Sequence, residues 1–309
     1  MPGSPILIGT RGSPLALWQA RYVWTRLLET NGLGEGAAGL SVITTSGDRI
    51  KDKPLREFGG KGLFTKELDE ALLRGDIDLA VHSMKDLPTE LPGGICIGAV
   101  LPRADMRDAF ISARAPSLAE LPPDAVVGTS SLRRAAQVKR HRPDLRVVDF
   151  RGNVETRLKK LAEGQADATL LALAGLERLG LASHATAILS TEEMLPAVAQ
   201  GAIGVACRES DAKTHALLAP LNDAASATVI ACERSFLARL DGSCKTPIAG
   251  LAEIDGGTLR FRGLILVPDG SAWHEIELTG ETRHARQIGL DAGEELLARA
   301  GPEFMARLV

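Results

Sequence analysis

The sequence predicts two α/β domains of like design followed by a smaller α+β domain with a three-stranded antiparallel sheet. Three observations carry that prediction. IGTRGSPLAL (8–17) and VGTSSLRRAA (127–136) share one pattern, a strand, Gly-Thr, a Ser cap and then a helix. RGDIDLAV (74–81) and EGQADATL (163–170) share a second, a helix end, Gly, two residues, Asp and a strand. After Pro220 the character changes to one helix, three strands joined by DGG and PDGS turns, and a terminal helix.

Taken in order, PILIG (5–9) reads as the first strand, Ser13 as the cap and Pro14 as the first residue of a helix that runs to about Thr30. SVITT (41–45) is the next strand. GGKG (59–62) is a short flexible run before a helix from about Thr65 to Arg74, closed by Gly75. IDLAVHS (77–83) is a strand that delivers Met84-Lys85-Asp86-Leu87-Pro88 to its carboxyl end. ADMRD (104–108) is a candidate hinge before the strand AFISAR, and LPAVAQG (195–201) is a second one before IGVACR (203–208). AVVG (125–128) is a buried strand, Leu132 opens a helix, LRVVDF (145–150) is a strand and Asn153 caps the helix after it. A helix over about 224–240 leads to the loop 241–247, and the terminal helix is expected to end near Arg299. The domains expected are 1–103 with 200–220, 104–199, and 221–309.

The 309 residues are 45% hydrophobic and 24% charged, the composition of a globular protein with ample core. Aromatics are only 4%, which argues against nucleic-acid binding by base stacking. No leader pattern and no run of about 18 apolar residues stands in the sequence, so a cytoplasmic protein without a membrane partner is expected. Its four Cys (96, 207, 232 and 244) are expected as thiols, and their spacing matches no metal motif, so no metal site is expected.

Charge is concentrated in one stretch. Gly128 to Arg157 holds seven Arg and one Lys against Asp144, Asp149 and Glu155, a local balance of +5 in a chain of net charge −3. Arg133 and Arg134 fall in the first turn of a helix behind Thr129, Ser130 and Ser131. There, backbone N–H groups and guanidinium forks together suit a carboxylate or phosphate. Arg151 follows a strand end and Arg157 lies in the next helix. Lys139, Arg140 and Arg142 read as a solvated basic face. In open α/β sheets ligands sit beyond the carboxyl ends of the strands. Those ends carry Arg11, Ser13, Lys85 and Asp86 in one half, and Ser130 to Arg134 with Arg151 in the other, so two such rims would line a polar cleft.

Two further residues carry chemistry. Cys96 and Cys207 sit in strands and Cys232 in a helix, where a thiol acts as a small hydrophobe. Cys244 sits in a polar, Gly-containing loop beside Lys245, which fits a reachable thiolate as well as an inert loop residue. Asp86 is the one carboxylate at a strand end on the cationic rim. It either stabilises a developing cation or serves as a turn residue.

HSMKDLP (82–88), GGKGLF (59–64), GTSSLRR (128–134), RGNVETR (151–157), GLERLG (175–180), QGAIG (200–204) and GSCKTPI (242–248) stand in order along the chain. Together they resemble the porphobilinogen deaminase, or hydroxymethylbilane synthase, family from Thr10 to the C-terminal helix. The resemblance implies three domains, the first two like the lobes of periplasmic solute-binding proteins, in a monomer. It also implies a transferase that joins four porphobilinogen molecules head to tail, releasing ammonia, on a dipyrromethane cofactor held by a thioether to Cys244.

By the same resemblance Asp86 is the catalytic residue, and Lys85, Ser83, Thr129, Ser131, Arg133 and Arg134 hold the cofactor. Arg11, Ser13, Ser130, Arg151, Arg157, Arg178 and Gln200 bind substrate, while Lys61 and Phe64 belong to a mobile loop. Ser243 and Ala199 replace glycines common in the family, and Ser46 stands where a basic residue is frequent. The competing reading is a two-lobed binding protein for an anionic ligand, which would need neither Cys244 nor the third domain.

Overall fold

The computed structural model describes residues 5–49, 62, 64–242 and 246–308. The chain folds as two compact units, Met1–Arg103 with Ala202–Ala227, and Ala104–Gly201 with Thr228–Val309. The first passage contains β1 (Ile6–Thr10), α1 (Pro14–Asn31), β2 (Ala38–Val42), α2 (Ser46–Arg49), α3 (Lys66–Arg74), β3 (Leu79–Ser83) and β4 (Ile95–Val100). The second contains β5 (Asp108–Ser112), β6 (Val126–Gly128), α4 (Leu132–His141), β7 (Arg146–Val148), α5 (Val154–Ala162), β8 (Ala168–Ala172), α6 (Leu173–Arg178) and β9 (Ala187–Ile188). The chain then adds β10 (Ile203–Arg208), α7 (Ala212–Leu218) and α8 (Ala224–Arg239). The last passage is β11 (Ile248–Asp255), β12 (Thr258–Leu266), β13 (Trp273–Glu281) and α9 (Ala285–Ala306).

The likeness read between the two halves is realised as topology. One sheet has the order β2-β1-β3-β10-β4 and the other β7-β6-β8-β5-β9. In each, three parallel strands lie side by side and the fourth runs antiparallel, β10 in the first sheet and β5 in the second. Alternation along the strands sends side chains to both faces, and helices cover both. Leu79 and Val81 pack with Ala20, Val23 and Leu27 of α1, while Ala80 packs with Leu68 and Leu72 of α3. In the second sheet Phe110 and Leu170 join Val138 of α4, and Ala109, Ile111 and Leu171 join Leu176 of α6.

The third sheet, β11-β12-β13, is antiparallel throughout and belongs to the same unit as the second. Leu251, Leu264 and Leu266 pack with Ala136 of α4 and Leu195. Gly270, at φ +71, comes so close to α4 that a Cβ there would lie 2.5 Å from the Arg140 nitrogen. The helix carrying Arg133 and Arg134 is therefore fixed by two sheets.

Caps follow the sequence. Ser13 Oγ accepts from the Ala16 N–H at 3.3 Å, Ser131 Oγ from Arg134 at 3.4 Å, and Asn153 Oδ1 from Thr156 at 2.8 Å. Several expectations need correction. The second strand is Ala38–Val42 rather than 41–45, because its register is set by β1, whose last residue, Thr10, pairs with Val42. β7 stops at Val148, since the Phe150 N–H turns to Ser130 Oγ at 3.0 Å. The terminal helix breaks as expected just past Arg299, at Gly301 (φ +70, ψ 170), and a short further helical piece carries α9 on to Ala306. The basic face of α4 is engaged: Arg140 stacks 4.2 Å over the Trp273 ring, and Arg142 donates to the carbonyls of Leu118, Ala119 and Leu121. Asp108, placed by the sequence in a hinge, is the first residue of β5 and is completely buried.

Candidate functional site

Both mixed sheets present their predicted residues at the carboxyl ends of adjacent parallel strands, which is where open α/β sheets bind ligands. In the first unit β1 and β3 are parallel neighbours. β1 delivers Arg11, half-buried, whose guanidinium carbon stands 4.1 Å from the centroid of the Phe64 ring. β3 delivers Ser83 and then a 3-10 turn, Met84–Asp86. The turn is anchored by buried Met84, whose N–H donates to the Ala202 carbonyl at 3.0 Å. That anchor leaves Lys85 half-buried and Asp86 exposed at the strand end. Ser83 Oγ is engaged with the buried Gln19 side chain at 2.9 Å, so it fixes the rim rather than standing open on it.

His82 precedes Ser83 near the end of β3. It is buried, its Nε2 has no hydrogen-bond partner, and burial, reinforced by the Arg11 charge, pulls its pKa down to about 4. A neutral imidazole is thus packed beneath the rim.

In the second unit β6 leads into Thr129, Ser130 and Ser131, and then α4. Thr129 is buried, and its Oγ1 accepts from the Ser131 N–H at 3.2 Å. Ser130 is exposed and pins Phe150. Arg151 and Arg157 are half-buried after β7 and in α5, with Arg157 Nε donating to the Gly152 carbonyl at 2.8 Å. Arg178, at the end of α6, donates to the Gly201 carbonyl at 2.7 Å.

Arg133 and Arg134 do not lie open in the first helical turn. They are 4% and 5% exposed and converge on Asp108. Arg133 Nη2 donates to Oδ2 at 2.8 Å, and Arg134 Nη2 to Oδ1 at 2.7 Å. Gln200, 1% exposed, adds Nε2 to Oδ1 at 2.9 Å, and Arg133 Nη1 reaches the Leu195 carbonyl at 2.8 Å. Burial alone would raise the Asp108 pKa, but the two guanidinium charges overcome it and hold the carboxyl well below the usual range. For Arg133, burial lowers the pKa, Asp108 pulls it back and the neighbouring Arg134 charge lowers it again.

Two guanidinium groups on one carboxylate leave a surplus positive charge, and Arg133 Nε has no hydrogen-bond partner. A net cation at the N-terminal turn of a ten-residue helix is a suitable place for a carboxylate-bearing group. Asp108 had no signal in the sequence, because a strand-opening Asp and a linker Asp read alike. Cys244 and Lys61 lie outside the described residues.

Two family models match the chain. One, described as "Porphobilinogen deaminase, dipyromethane cofactor binding domain", covers residues 6–216, and the other, "Porphobilinogen deaminase, C-terminal domain", covers residues 227–298. The chain is 56% identical over 303 residues to a porphobilinogen deaminase of Paracoccus denitrificans, covering 98% of this chain and 97% of the relative. It is 55% identical over 310 residues to a chloroplastic porphobilinogen deaminase of Oryza sativa subsp. japonica, covering 99% and 87%. A solved nutrient binding protein from Burkholderia cenocepacia bound to methionine is 15% identical, covers 76% of this chain and 95% of its own, and has a TM-score of 0.44. The first matched region contains Asp86 and the Arg133–Arg134–Asp108 cluster, the second follows it along the chain, and the relatives are more than half identical over nearly the whole of this chain: the chain belongs to the porphobilinogen deaminase family.

Proposed function

We propose that this chain is a transferase that joins four porphobilinogen molecules head to tail, with loss of ammonia at each addition, to give the linear tetrapyrrole hydroxymethylbilane. The observation that carries this reading is the match of residues 6–216 to a family described by its dipyromethane cofactor. The residues present suit such a group. A dipyrromethane bears carboxylates, and the rim at β6 and α4 offers a surplus guanidinium charge, a helix N-terminus and the Thr129 and Ser131 hydroxyls. We assign the covalent attachment to Cys244 and assign Lys85, Ser83, Arg133 and Arg134 to orienting the group. When bound, the cofactor supplies the pyrrole carbon to which the first substrate is joined.

The chain's own residues do the rest. Arg11, Arg151, Arg157 and Arg178 bind the acetate and propionate groups of the substrate, and Ser13 and Ser130 add hydroxyl donors. Gln200 joins them in binding substrate, and its amide also holds Asp108, the partner of Arg133 and Arg134. As the aminomethyl C–N bond of a substrate breaks, its electron pair leaves with the nitrogen and positive charge collects on the pyrrole. Asp86, exposed at the end of β3, supplies the fixed negative charge that favours this state over the neutral substrate. We assign Lys61 and Phe64 to a mobile active-site loop, and the Phe64 ring against Arg11 supports that role for Phe64. A single chain at work in a reducing, cytosolic compartment completes the reading, in keeping with thiols that are free at Cys96, Cys207 and Cys232.

The test is the intact mass of the purified protein. An adduct of two pyrrole units is expected, and it should be missing from a folded, inactive Cys244→Ala variant. An unmodified mass in a fully active preparation would overturn the proposal.

A further inference from the structure

Three side chains far apart in sequence meet at one corner of the first unit. Cys96 on β4 and Cys207 on β10 are direct partners across the antiparallel pair, and their sulfurs lie 4.0 Å apart. His215 on α7 brings Nε2 to 3.8 Å from each of them. Cys207 is fully buried, while Cys96 and His215 are half-buried, so the triangle lies at the edge of the apolar core. The sides of that triangle are each only slightly longer than those of one face of a zinc tetrahedron. Zn–S bonds of about 2.3 Å and Zn–N bonds of about 2.0 Å put the sulfurs about 3.8 Å apart and sulfur about 3.5 Å from nitrogen.

The corner is held rigidly. Asp211 caps α7 by accepting from the Thr214 N–H at 3.0 Å. Arg208, next to Cys207, donates to Asp211 at 2.8 Å, to Asp78 at 3.0 Å and to the Leu72 and Ile77 carbonyls. Gly98 makes room as well, since a Cβ there would stand 2.8 Å from the Cys207 sulfur. Ligands carried on strands and a capped helix keep a constant geometry.

We propose that Cys96, Cys207 and His215 bind one zinc-class divalent cation, with the fourth position open to water. Binding breaks two S–H bonds, forms two metal–sulfur bonds and releases two protons to solvent. The Nε2 lone pair of His215 makes the third bond while the ring proton stays on Nδ1, and nothing is oxidised or reduced. Burial raises both thiols, Cys207 to about 12, so the metal must displace their protons and the apo site holds thiols.

Cys207 pairs with Leu79 at the start of β3, whereas Ser83, which leads into Asp86, pairs with Ile203 at the other end of β10. Four residues of strand, about 13 Å, therefore separate the metal corner from the rim. The cation ties β4, β10 and α7 together and takes no part in turnover.

The experiment uses the reduced, chelator-stripped full chain, titrated with Co²⁺ as a spectroscopic probe and then with Zn²⁺. One equivalent of Co²⁺ is expected to give sulfur-to-cobalt charge-transfer absorption that Zn²⁺ abolishes, and Zn²⁺ should raise Tm. His215→Ala should weaken binding by about tenfold or more and remove the rise in Tm. This half-buried helical position keeps the test usable even if Cys207→Ala fails to fold. Cys232→Ala should leave the spectrum intact. The proposal is overturned by the absence of charge-transfer absorption, or by wild-type affinity in the His215→Ala and Cys96→Ala variants.

Discussion

Arg133 Nη2 donates to Asp108 Oδ2 at 2.8 Å, with the arginine 4% exposed and the aspartate fully buried. With Arg134 on the other oxygen, this contact turns the most basic stretch of the sequence into an internal ion cluster. The arginines that look most available for an anion are the ones most tightly held, and what they offer a ligand is their surplus charge.

Asp108→Asn keeps the shape but leaves two buried guanidinium groups without a counter-charge. Removing one partner of a buried pair costs about 3–5 kcal/mol, so a loss of that size is expected in urea unfolding at pH 7. The folded pKa of Asp108 is depressed, so its contribution is present above the unfolded value of about 3.9 and fades as pH falls below it. The gap between wild type and variant should therefore narrow in acid. A stability equal to wild type at pH 7 would show that the cluster is not compensated through Asp108.

Arg133→Lys and Arg151→Lys should part company. At position 133 the fork spans the Leu195 carbonyl and Asp108, which a single ammonium cannot do. Both stability and turnover should fall there. Arg151 is half-buried at a strand end, so its variant should keep its melting temperature while losing turnover. Unchanged steady-state rates in Arg151→Lys would remove it from the substrate contacts.

His82 should make stability depend on pH. Its pKa falls from the ordinary 6.5 to about 4 on folding, chiefly through burial. Between those values the unfolded chain binds the proton and the folded one does not, so stability drops as pH falls through this window. The full drop is on the order of 3 kcal/mol. Asp69, raised to about 6 by burial, acts in the opposite sense, so the useful quantity is the difference from His82→Gln. Denaturant midpoints at pH 7 and pH 4.5 should diverge between the two proteins, and parallel midpoints would contradict the buried neutral imidazole.

Periodicity and caps made the strand–helix plan legible, because Ser13, Ser131 and Asn153 act within three residues of themselves. The rim was legible for the same reason: Arg11, Asp86 and Arg151 are placed by the strand just before them. Asp108 was not, since its partners are 25 and 26 residues away, and a sequence does not state which strand edge a charge will face. The Cys96–Cys207–His215 corner was hidden by the same distance, as its ligands come together only when β10 returns to the first sheet. The stop of the terminal helix near Arg299 was legible as well, because Gly301, at φ +70, is followed by Pro302, which cannot continue the helix.

Ala199 has φ +60, a left-handed conformation that costs a residue with a Cβ about 1–2 kcal/mol. It is held there by its N–H, which donates to Glu233 at 2.6 Å. Ala199→Gly should raise stability by about 1 kcal/mol, after allowing for the greater freedom of glycine in the unfolded chain. A lower Tm in the variant would mean that the strain is relieved by the surrounding packing.

Asp86 is exposed on a turn anchored by Met84, so replacing it should leave the fold intact. Its proposed task exists only while positive charge develops on the pyrrole, so its loss should fall on kcat rather than on KM. Asp86→Asn keeps the shape and removes the charge, and a rate loss on the order of a hundredfold or more is expected, as for removal of one electrostatic stabiliser. Asp86→Glu keeps the charge but moves it by about 1 Å, which should leave reduced, measurable turnover. The measurement is steady-state formation of hydroxymethylbilane by both variants, beside thermal melts and the adduct mass, because an enzyme unable to assemble its cofactor would be inactive for a different reason. An Asn variant that is folded, loaded and fully active would make Asp86 a turn residue and nothing more.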